Sequence, residues 1–258
     1  MISQQKKLLR AFFIAVGTTW LAILALDWIR LLLYHPGGQV QEYALSKVIK
    51  LVASLIVAVF VWMHGKYAVG RKDHRLMIII FTMIFLADIG FYLNNNIIGI
   101  ILFAVAQVLF IIRHLRGIGS IHQRIPGKKN IVKIGVILPV VGFVNCILIG
   151  TVFIPRSAHP MFGIVIGYSF FLCISVCAGI ATLFIGVLPR VNATLIAVAV
   201  GVLYCGDVMV GLNLMLTADK ALIISTSLTW TFYLPAIVLF SLSGLQWKNE
   251  KTPVCFYV

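Results

Sequence analysis

The sequence predicts an all-α protein, a polytopic membrane bundle of eight transmembrane helices, and three observations support this prediction. The first is composition: of 258 residues, 61% are hydrophobic and 11% are charged, whereas a soluble domain has roughly 25% charged residues. The second is that the apolar residues come in runs of about 20, the length that crosses a hydrocarbon core about 30 Å thick. Backbone groups find no water at that depth, and the runs are longer than barrel strands, so each run is predicted to be a helix.

The apolar runs place the spans along a single transmembrane domain covering residues 1–258. The first run is too long for a signal-peptide core and carries no convincing cleavage site, so it is predicted to stay as the first helix. The connections are short, and any functional site is therefore expected among the helices or at their ends. The predicted spans are about 9–33, 46–64, 75–94, 97–115, 130–154, 161–187, 191–216 and 221–244.

The third observation is that lysine and arginine alternate between connections. Of the 21 such residues, 16 fall on one set of connections and 5 on the other. The positive-inside rule assigns the larger set to the cytoplasm, and an even number of spans then puts both termini on the cytoplasmic side. The net charge of +14 is interpreted as a topology signal and as contacts with anionic lipids, and no nucleic-acid partner is expected. The five residues assigned to the other side are Arg30, Lys47, Lys50, Arg156 and Lys220.

Cysteine and histidine spacing bears on metal and redox chemistry. The chain has five cysteines, four of them inside apolar runs, and no cluster of cysteine and histidine has the spacing of metal ligands. We therefore expect no structural disulfide, no metal site and no cofactor.

Two aspartates lie deep inside predicted spans. At 1.5 Å per helical residue, Asp88 lies about 18 Å and Asp207 about 24 Å from the cytoplasmic face. A carboxylate in hydrocarbon is costly, so such residues indicate function, unless a protonated aspartate only hydrogen-bonds between helices. Asp27 differs, because it lies near the outer end of the first span, one helical turn from Arg30, and is predicted to form a local ion pair.

Polar side chains near the two aspartates are the predicted substrate-binding residues. Two of them follow Asp88 on its own helical face, at four and seven residues. One lies a turn before Asp207, and two more lie mid-span in the fourth and eighth spans. They are Tyr92, Asn95, Tyr204, Gln107 and Tyr233.

The two aspartates also occupy equivalent places along the chain. Each lies on the third span of a group of four, and a short outer turn then leads to the next span. This predicts a parallel repeat of spans 1–4 and 5–8, related by an axis along the membrane normal. Such symmetry would bring Asp88 and Asp207 toward one central site.

A series of short motifs runs from roughly residue 76 to residue 244, about two-thirds of the chain. The motifs are Ala87-Asp88, Gly99, Phe103, Ala106-Gln107, Phe110, Gly206-Asp207 and Tyr233. In their order and spacing they resemble the YhhN/TMEM86 family, whose characterised members are lysoplasmalogenases. The chain departs from the family pattern at four positions, where the family has Gly, His, Tyr and Ser: Ala87, Gln107, Phe110 and Gly206.

The resemblance implies a metal-independent ether hydrolase with a lysophospholipid substrate. It would cleave the vinyl-ether bond of a lysoplasmalogen to a fatty aldehyde and glycerophosphoethanolamine or glycerophosphocholine. Asp88 and Asp207 would be the catalytic acid/base pair, because two nearby carboxyl groups can hold one proton between them. Gln107 and Tyr233 would line the site. Membrane lipids are the other expected partners, and a bacterial inner membrane and an endoplasmic reticulum membrane both fit the sequence.

Two other functions fit the same residues. The aspartates could form the proton or cation site of a proton-coupled transporter, which the predicted repeat and the buried acids favour. Only Pro139 and Pro235 interrupt spans, and they do not form the matching pair of broken helices that many transporters have. Alternatively, the aspartates could hold helices together in a non-catalytic lipid-binding membrane protein.

Overall fold

Eight long helices make up almost all of the chain that the structure describes. The computed structural model describes residues 3–33, 44–115, 128–186, 188–216 and 219–247, and these ranges contain no β-strand, only an isolated bridge between Ala68 and Leu245. The helices are α1 (Ser3–Leu32), α2 (Ala44–Met63), α3 (Arg71–Tyr92), α4 (Asn96–Leu115), α5 (Lys128–Leu148), α6 (Phe162–Ile185), α7 (Arg190–Met215) and α8 (Asp219–Leu242). The predicted all-α fold of eight helices is confirmed.

Each helix is long and apolar enough to cross a membrane, so the chain is a multi-pass membrane protein. The helix ends lie within four residues of the predicted spans except at two places. The first helix starts six residues early, at Ser3, and regular α-helix in α5 stops at Leu148, where a π-helical turn over Ile149–Phe153 continues it. Both chain ends, which the sequence predicts to be cytoplasmic, lie outside the described residues.

The helix neighbours follow a reciprocal pattern. Within α1–α4 and within α5–α8, each helix packs against the next one along the chain, and α2 packs against α8 just as α6 packs against α4. If α1–α4 and α5–α8 are exchanged, the contact between α2 and α8 becomes the contact between α6 and α4. The contact between α1 and α8 is the exception, since α4 and α5 have no comparably extensive contact among the described residues. The packing agrees with the predicted repeat, which stays a prediction.

The core is a set of fully buried aliphatic side chains between the helices, such as Ile23 of α1, Val57 of α2 and Ile80 of α3. Helix α5 differs from the other helices because, among the described residues, α6 is the one α-helix against which it packs extensively. Its side chains Leu138 and Phe143 are 59% and 68% exposed. In a membrane such apolar side chains face lipid.

A buried polar network closes one end of the bundle, where α3 and α7 begin and α4 and α8 end. The guanidinium of Arg113 on α4 donates to both carboxylate oxygens of Asp73 on α3, at 2.8 and 3.0 Å, and to Ser243 Oγ at 2.9 Å. Asn192 of α7 donates to the carbonyl of Ser243 at 2.7 Å. A two-pronged arginine–carboxylate contact is strong and directional, so this network holds α3, α4, α7 and the chain after α8 together. We call this the inner end, since the charge distribution predicts it to be cytoplasmic.

Candidate functional site

A cavity of about 330 Å³ lies toward the opposite end of the bundle. That end, where α2, α4, α6 and α8 begin, is called the outer end below. Asp88 of α3 and Asp207 of α7 both line this cavity. The two aspartates that the sequence predicts as a pair therefore face one chamber, as the predicted repeat requires.

Asp88 is held by hydroxyl groups from two other helices. Ser54 Oγ of α2 and Tyr233 OH of α8 both donate to its Oδ2 atom, the tyrosine at 2.8 Å. Ser54 is 1% exposed and Tyr233 is 5% exposed, so both donors are held within the protein. Since hydroxyl donors stabilise a carboxylate, this side of Asp88 is prepared to carry negative charge.

Asp207 has an equivalent but simpler arrangement. Tyr168 OH of α6 donates to its Oδ2 atom at 3.0 Å, and Asp207 itself is 6% exposed. Each chamber aspartate thus receives a phenol hydroxyl from a different helix. One donor, Tyr233, was predicted to line the site; Tyr168 was not among the predicted site residues.

Phe103 of α4 lies between the two tyrosines. Its ring centroid is 6.5 Å from that of Tyr168 and 5.9 Å from that of Tyr233. All three residues line the chamber, and we call their rings its aromatic wall. Aromatic faces attract cations, so this wall suits a positively charged intermediate as well as an apolar ligand.

Three of the predicted binding residues line the chamber: Tyr92, Tyr204 and Tyr233. Tyr204 donates to Asn145 Oδ1 of α5 at 3.1 Å, which extends the polar lining away from the aspartates.

Two predicted binding residues take other positions. Gln107 is 1% exposed, adjoins the Tyr168 hydroxyl and accepts a hydrogen bond from Ser175 at 2.8 Å, behind the chamber wall. Asn95 lies outside the chamber lining, and its side-chain oxygen accepts the backbone N–H of Ile98 at 3.2 Å. It caps the start of α4, as asparagine commonly does.

Ser54, like Tyr168, is a functional candidate that the sequence did not reveal. Its signal was a stripe of polar residues at four-residue spacing in α2, formed by Ser46, Lys50 and Ser54. This spacing puts all three side chains on one helical face. The structure turns that face toward Asp27 and Asp88.

The polar residues at the outer end of the chamber form its mouth, which we define as Lys47, Lys50, Asn94 and Asn96. Lys50 Nζ lies 3.1 Å from a carboxylate oxygen of Asp27 and 5.8 Å from the centre of the Trp230 ring. The sequence predicts a local ion pair of Asp27 within α1. The structure adds a buried ion pair that joins Asp27 to Lys50 of α2. Lys47 Nζ donates to Asn94 Oδ1 at 3.1 Å.

No group of three or more histidine, cysteine, aspartate or glutamate side chains that could hold a metal ion is found within the described ranges. The chemistry available in the chamber is that of two carboxyl groups and their tyrosine and serine donors.

The fold and the site define a class of protein: a multi-pass membrane bundle with an internal chamber that presents two carboxyl groups. Comparison with protein-family models, with curated proteins and with solved structures finds no match to this chain.

Proposed function

We propose that this protein is a lysoplasmalogenase-like hydrolase that cleaves the vinyl-ether bond of a lysoplasmalogen. The observation that carries the proposal is that Asp88 and Asp207 line one chamber within a membrane bundle, each bonded to a tyrosine hydroxyl. The resemblance of the ordered motifs to the YhhN/TMEM86 family supports the same reaction.

Two carboxyl groups suffice for this reaction. A neutral carboxyl group donates a proton to the alkene carbon that does not carry the ether oxygen. The other alkene carbon and the ether oxygen then share the positive charge of an oxocarbenium ion. A carboxylate takes a proton from water as the water oxygen bonds to the carbon beside the ether oxygen. The resulting hemiacetal breaks its bond to the glycerol oxygen, which receives a proton, and releases a fatty aldehyde. The first two of these steps leave a proton on the second carboxyl group. As the hemiacetal breaks down, that group gives the proton to the glycerol oxygen and the first carboxyl group takes the proton of the hemiacetal hydroxyl, so both return to their starting states.

The hydrogen bonds favour one division of roles. Asp88 accepts two hydroxyl donors on Oδ2, whereas Asp207 accepts one. Donors stabilise the charged form of a carboxyl group, so Asp88 is assigned as the carboxylate that activates water. Asp207 is assigned as the acid that protonates the alkene. The aromatic wall of Phe103 and the two tyrosines lines the same chamber, and aromatic rings there can stabilise the cation that forms between these steps.

The test is aldehyde release from purified full-length protein supplied with a 1-alkenyl lysophospholipid. Asp88→Asn and Asp207→Asn are each expected to lower kcat by about 100-fold or more, because a positioned acid or base contributes about 10²–10⁴-fold. A saturated 1-alkyl lysophospholipid has no alkene to protonate and is expected to give no aldehyde.

Asp73→Asn supplies the control for loss of a buried carboxylate. Asp73 is 5% exposed and bonds Arg113 at the inner end, outside the chamber lining. Its replacement is expected to lower the thermal midpoint while the activity per folded molecule stays at the wild-type level. Unchanged aldehyde release in both chamber variants would refute the acid/base pair. Solute uptake into proteoliposomes that requires both aspartates, without lipid turnover, would favour the carrier function instead.

A further inference from the structure

The two lysines at the mouth of the chamber have different electrostatic partners. Lys50 is 4% exposed and its charge is balanced by Asp27, which is 1% exposed. Lys47 is half-buried and donates to the neutral amide oxygen of Asn94. Among the described residues of the mouth, Lys47 therefore contributes a positive charge that Asp27 does not balance.

The chamber has polar groups at its mouth and a mixed lining further in. The mouth carries the exposed side chains of Asn94 and Asn96, whereas Leu51, Ile100 and Leu172 contribute apolar surface and Asp88 and Asp207 contribute carboxyl groups. A ligand with an anionic, hydrogen-bonding group at the mouth and a hydrocarbon portion against the apolar surface matches this lining.

The size of the chamber limits the hydrocarbon portion that can enter. A volume of about 330 Å³ lies near the lower end of the range of about 300–1,000 Å³ found for ligand pockets. The chamber therefore holds a headgroup linkage and the start of one chain, while the rest of that chain extends into lipid. A single-chain amphiphile fits this space better than a two-chain lipid.

We propose that Lys47, together with the Asn94 and Asn96 amides, binds the phosphate group of a single-chain phospholipid at the mouth of the chamber. Lysine binds phosphate as a compact positive charge, and attraction to anionic headgroups is favourable near a membrane surface. The inference deepens the proposed function and rests on it only for the bond that is cleaved. Binding itself requires no reaction.

Binding of a non-hydrolysable ligand tests this site separately from catalysis. The probe is 1-O-hexadecyl-glycero-3-phosphocholine, a saturated ether, titrated into the purified full chain in detergent. Three further probes share parts of its structure: 1-O-hexadecylglycerol lacks the phosphate, and glycerophosphocholine and inorganic phosphate lack the chain. We expect only the complete lipid to bind tightly, and Lys47→Met to raise its Kd about tenfold, with Lys47→Arg close to the wild type.

Lys220→Met is the matched control. Lys220 is an exposed lysine near the start of α8, predicted to lie on the same side of the membrane and outside the chamber lining. Its replacement is expected to leave the Kd of the ether lipid unchanged. Equal affinity of Lys47→Met and wild type for the ether lipid would overturn the inference, as would equal affinity of the wild type for hexadecylglycerol. Competition by inorganic phosphate at the concentration where the lipid binds would identify a site for free phosphate, which also overturns it.

The two proposals fail in different ways. Loss of lipid binding in Lys47→Met would support the headgroup site even if no aldehyde were released from any substrate. Aldehyde release that depends on both aspartates but not on Lys47, with lipid affinity unchanged in Lys47→Met, would support the reaction and reject the headgroup site.

Discussion

The hydroxyl of Tyr233 on α8 donates a 2.8 Å hydrogen bond to Asp88 Oδ2 on α3, although 145 positions of sequence separate the two residues. The corresponding contact on the other side of the chamber joins Tyr168 OH to Asp207 Oδ2 at 3.0 Å. Both bonds hold a chamber carboxyl group in one orientation. The reaction proposed for the site depends on that orientation, because proton transfer requires the carboxyl oxygen to face the reacting carbon or water.

Removal of either tyrosine hydroxyl is expected to slow the reaction while substrate still binds. Asp88 acts as a carboxylate, and Asp207 becomes one as it gives up its proton. Hydrogen bonds to charged groups contribute about 1.5–3 kcal/mol, so Tyr233→Phe and Tyr168→Phe are each expected to lower kcat by about 10- to 100-fold. KM should change little, since the aromatic ring that lines the chamber is kept. Steady-state aldehyde release with a 1-alkenyl lysophospholipid measures both constants.

Tyr67→Phe is the control for these variants, because Tyr67 lies in the 3-10 turn His64–Tyr67 that follows α2, outside the chamber lining. Its kcat is expected to match the wild type. A wild-type kcat in both Tyr233→Phe and Tyr168→Phe would show that the tyrosines have no positioning role.

The ion pair between Asp27 and Lys50 is expected to be important for folding. Removal of one partner from a buried pair costs about 3–5 kcal/mol, because the remaining charge is left without compensation. Lys50→Met should therefore lower the thermal midpoint sharply in detergent. The double variant Asp27→Asn/Lys50→Met leaves no charge at the site and should recover most of the loss.

The comparison of single and double variants decides whether the pair acts as a unit. If the thermal midpoint of the double variant falls by the sum of the two single-variant decreases, the charges of Asp27 and Lys50 do not stabilise each other across α1 and α2. Ser46 also donates to Asp27, at 3.2 Å, and the amide oxygen that Asp27→Asn introduces can still accept that bond.

The turn between α3 and α4 depends on Asn94. This residue has φ of +59°, a left-handed conformation that costs most side chains about 1–2 kcal/mol and that glycine adopts freely. Asn94→Ala is expected to lower the free energy of unfolding by about that amount, whereas Asn94→Gly should stay near the wild type. Chemical or thermal unfolding in detergent measures the difference.

Both Asn94 variants also remove the amide that accepts a hydrogen bond from Lys47, so that contact is matched between them. The difference in stability then reports the backbone preference of alanine and glycine at this position, including the greater freedom of glycine in the unfolded chain. Equal stability of the alanine and glycine variants would contradict the assignment of strain to this turn.

Residue type alone was enough to single out the two aspartates that line the chamber. A carboxyl group inside an apolar run is rare because of its desolvation cost, so Asp88 and Asp207 were identifiable without any knowledge of packing. Tyr168 and Ser54 were not, because tyrosine and serine occur often in membrane helices as packing residues. Asn95 lies outside the chamber lining because α3 ends at Tyr92, so the helical spacing that put Asn95 on the face of Asp88 does not extend to it.

Taken by itself, the sequence determined the eight helices and the two chamber aspartates. These are local properties, set by the length of apolar runs and by the cost of placing charge in hydrocarbon. Only the tertiary structure decided which groups meet: Tyr233 with Asp88, Lys50 with Asp27, and Lys47 with Asn94. Such contacts depend on the rotation and depth of each helix against its neighbours. Rotation and depth follow from the packing of many side chains together and not from the pattern within any one helix.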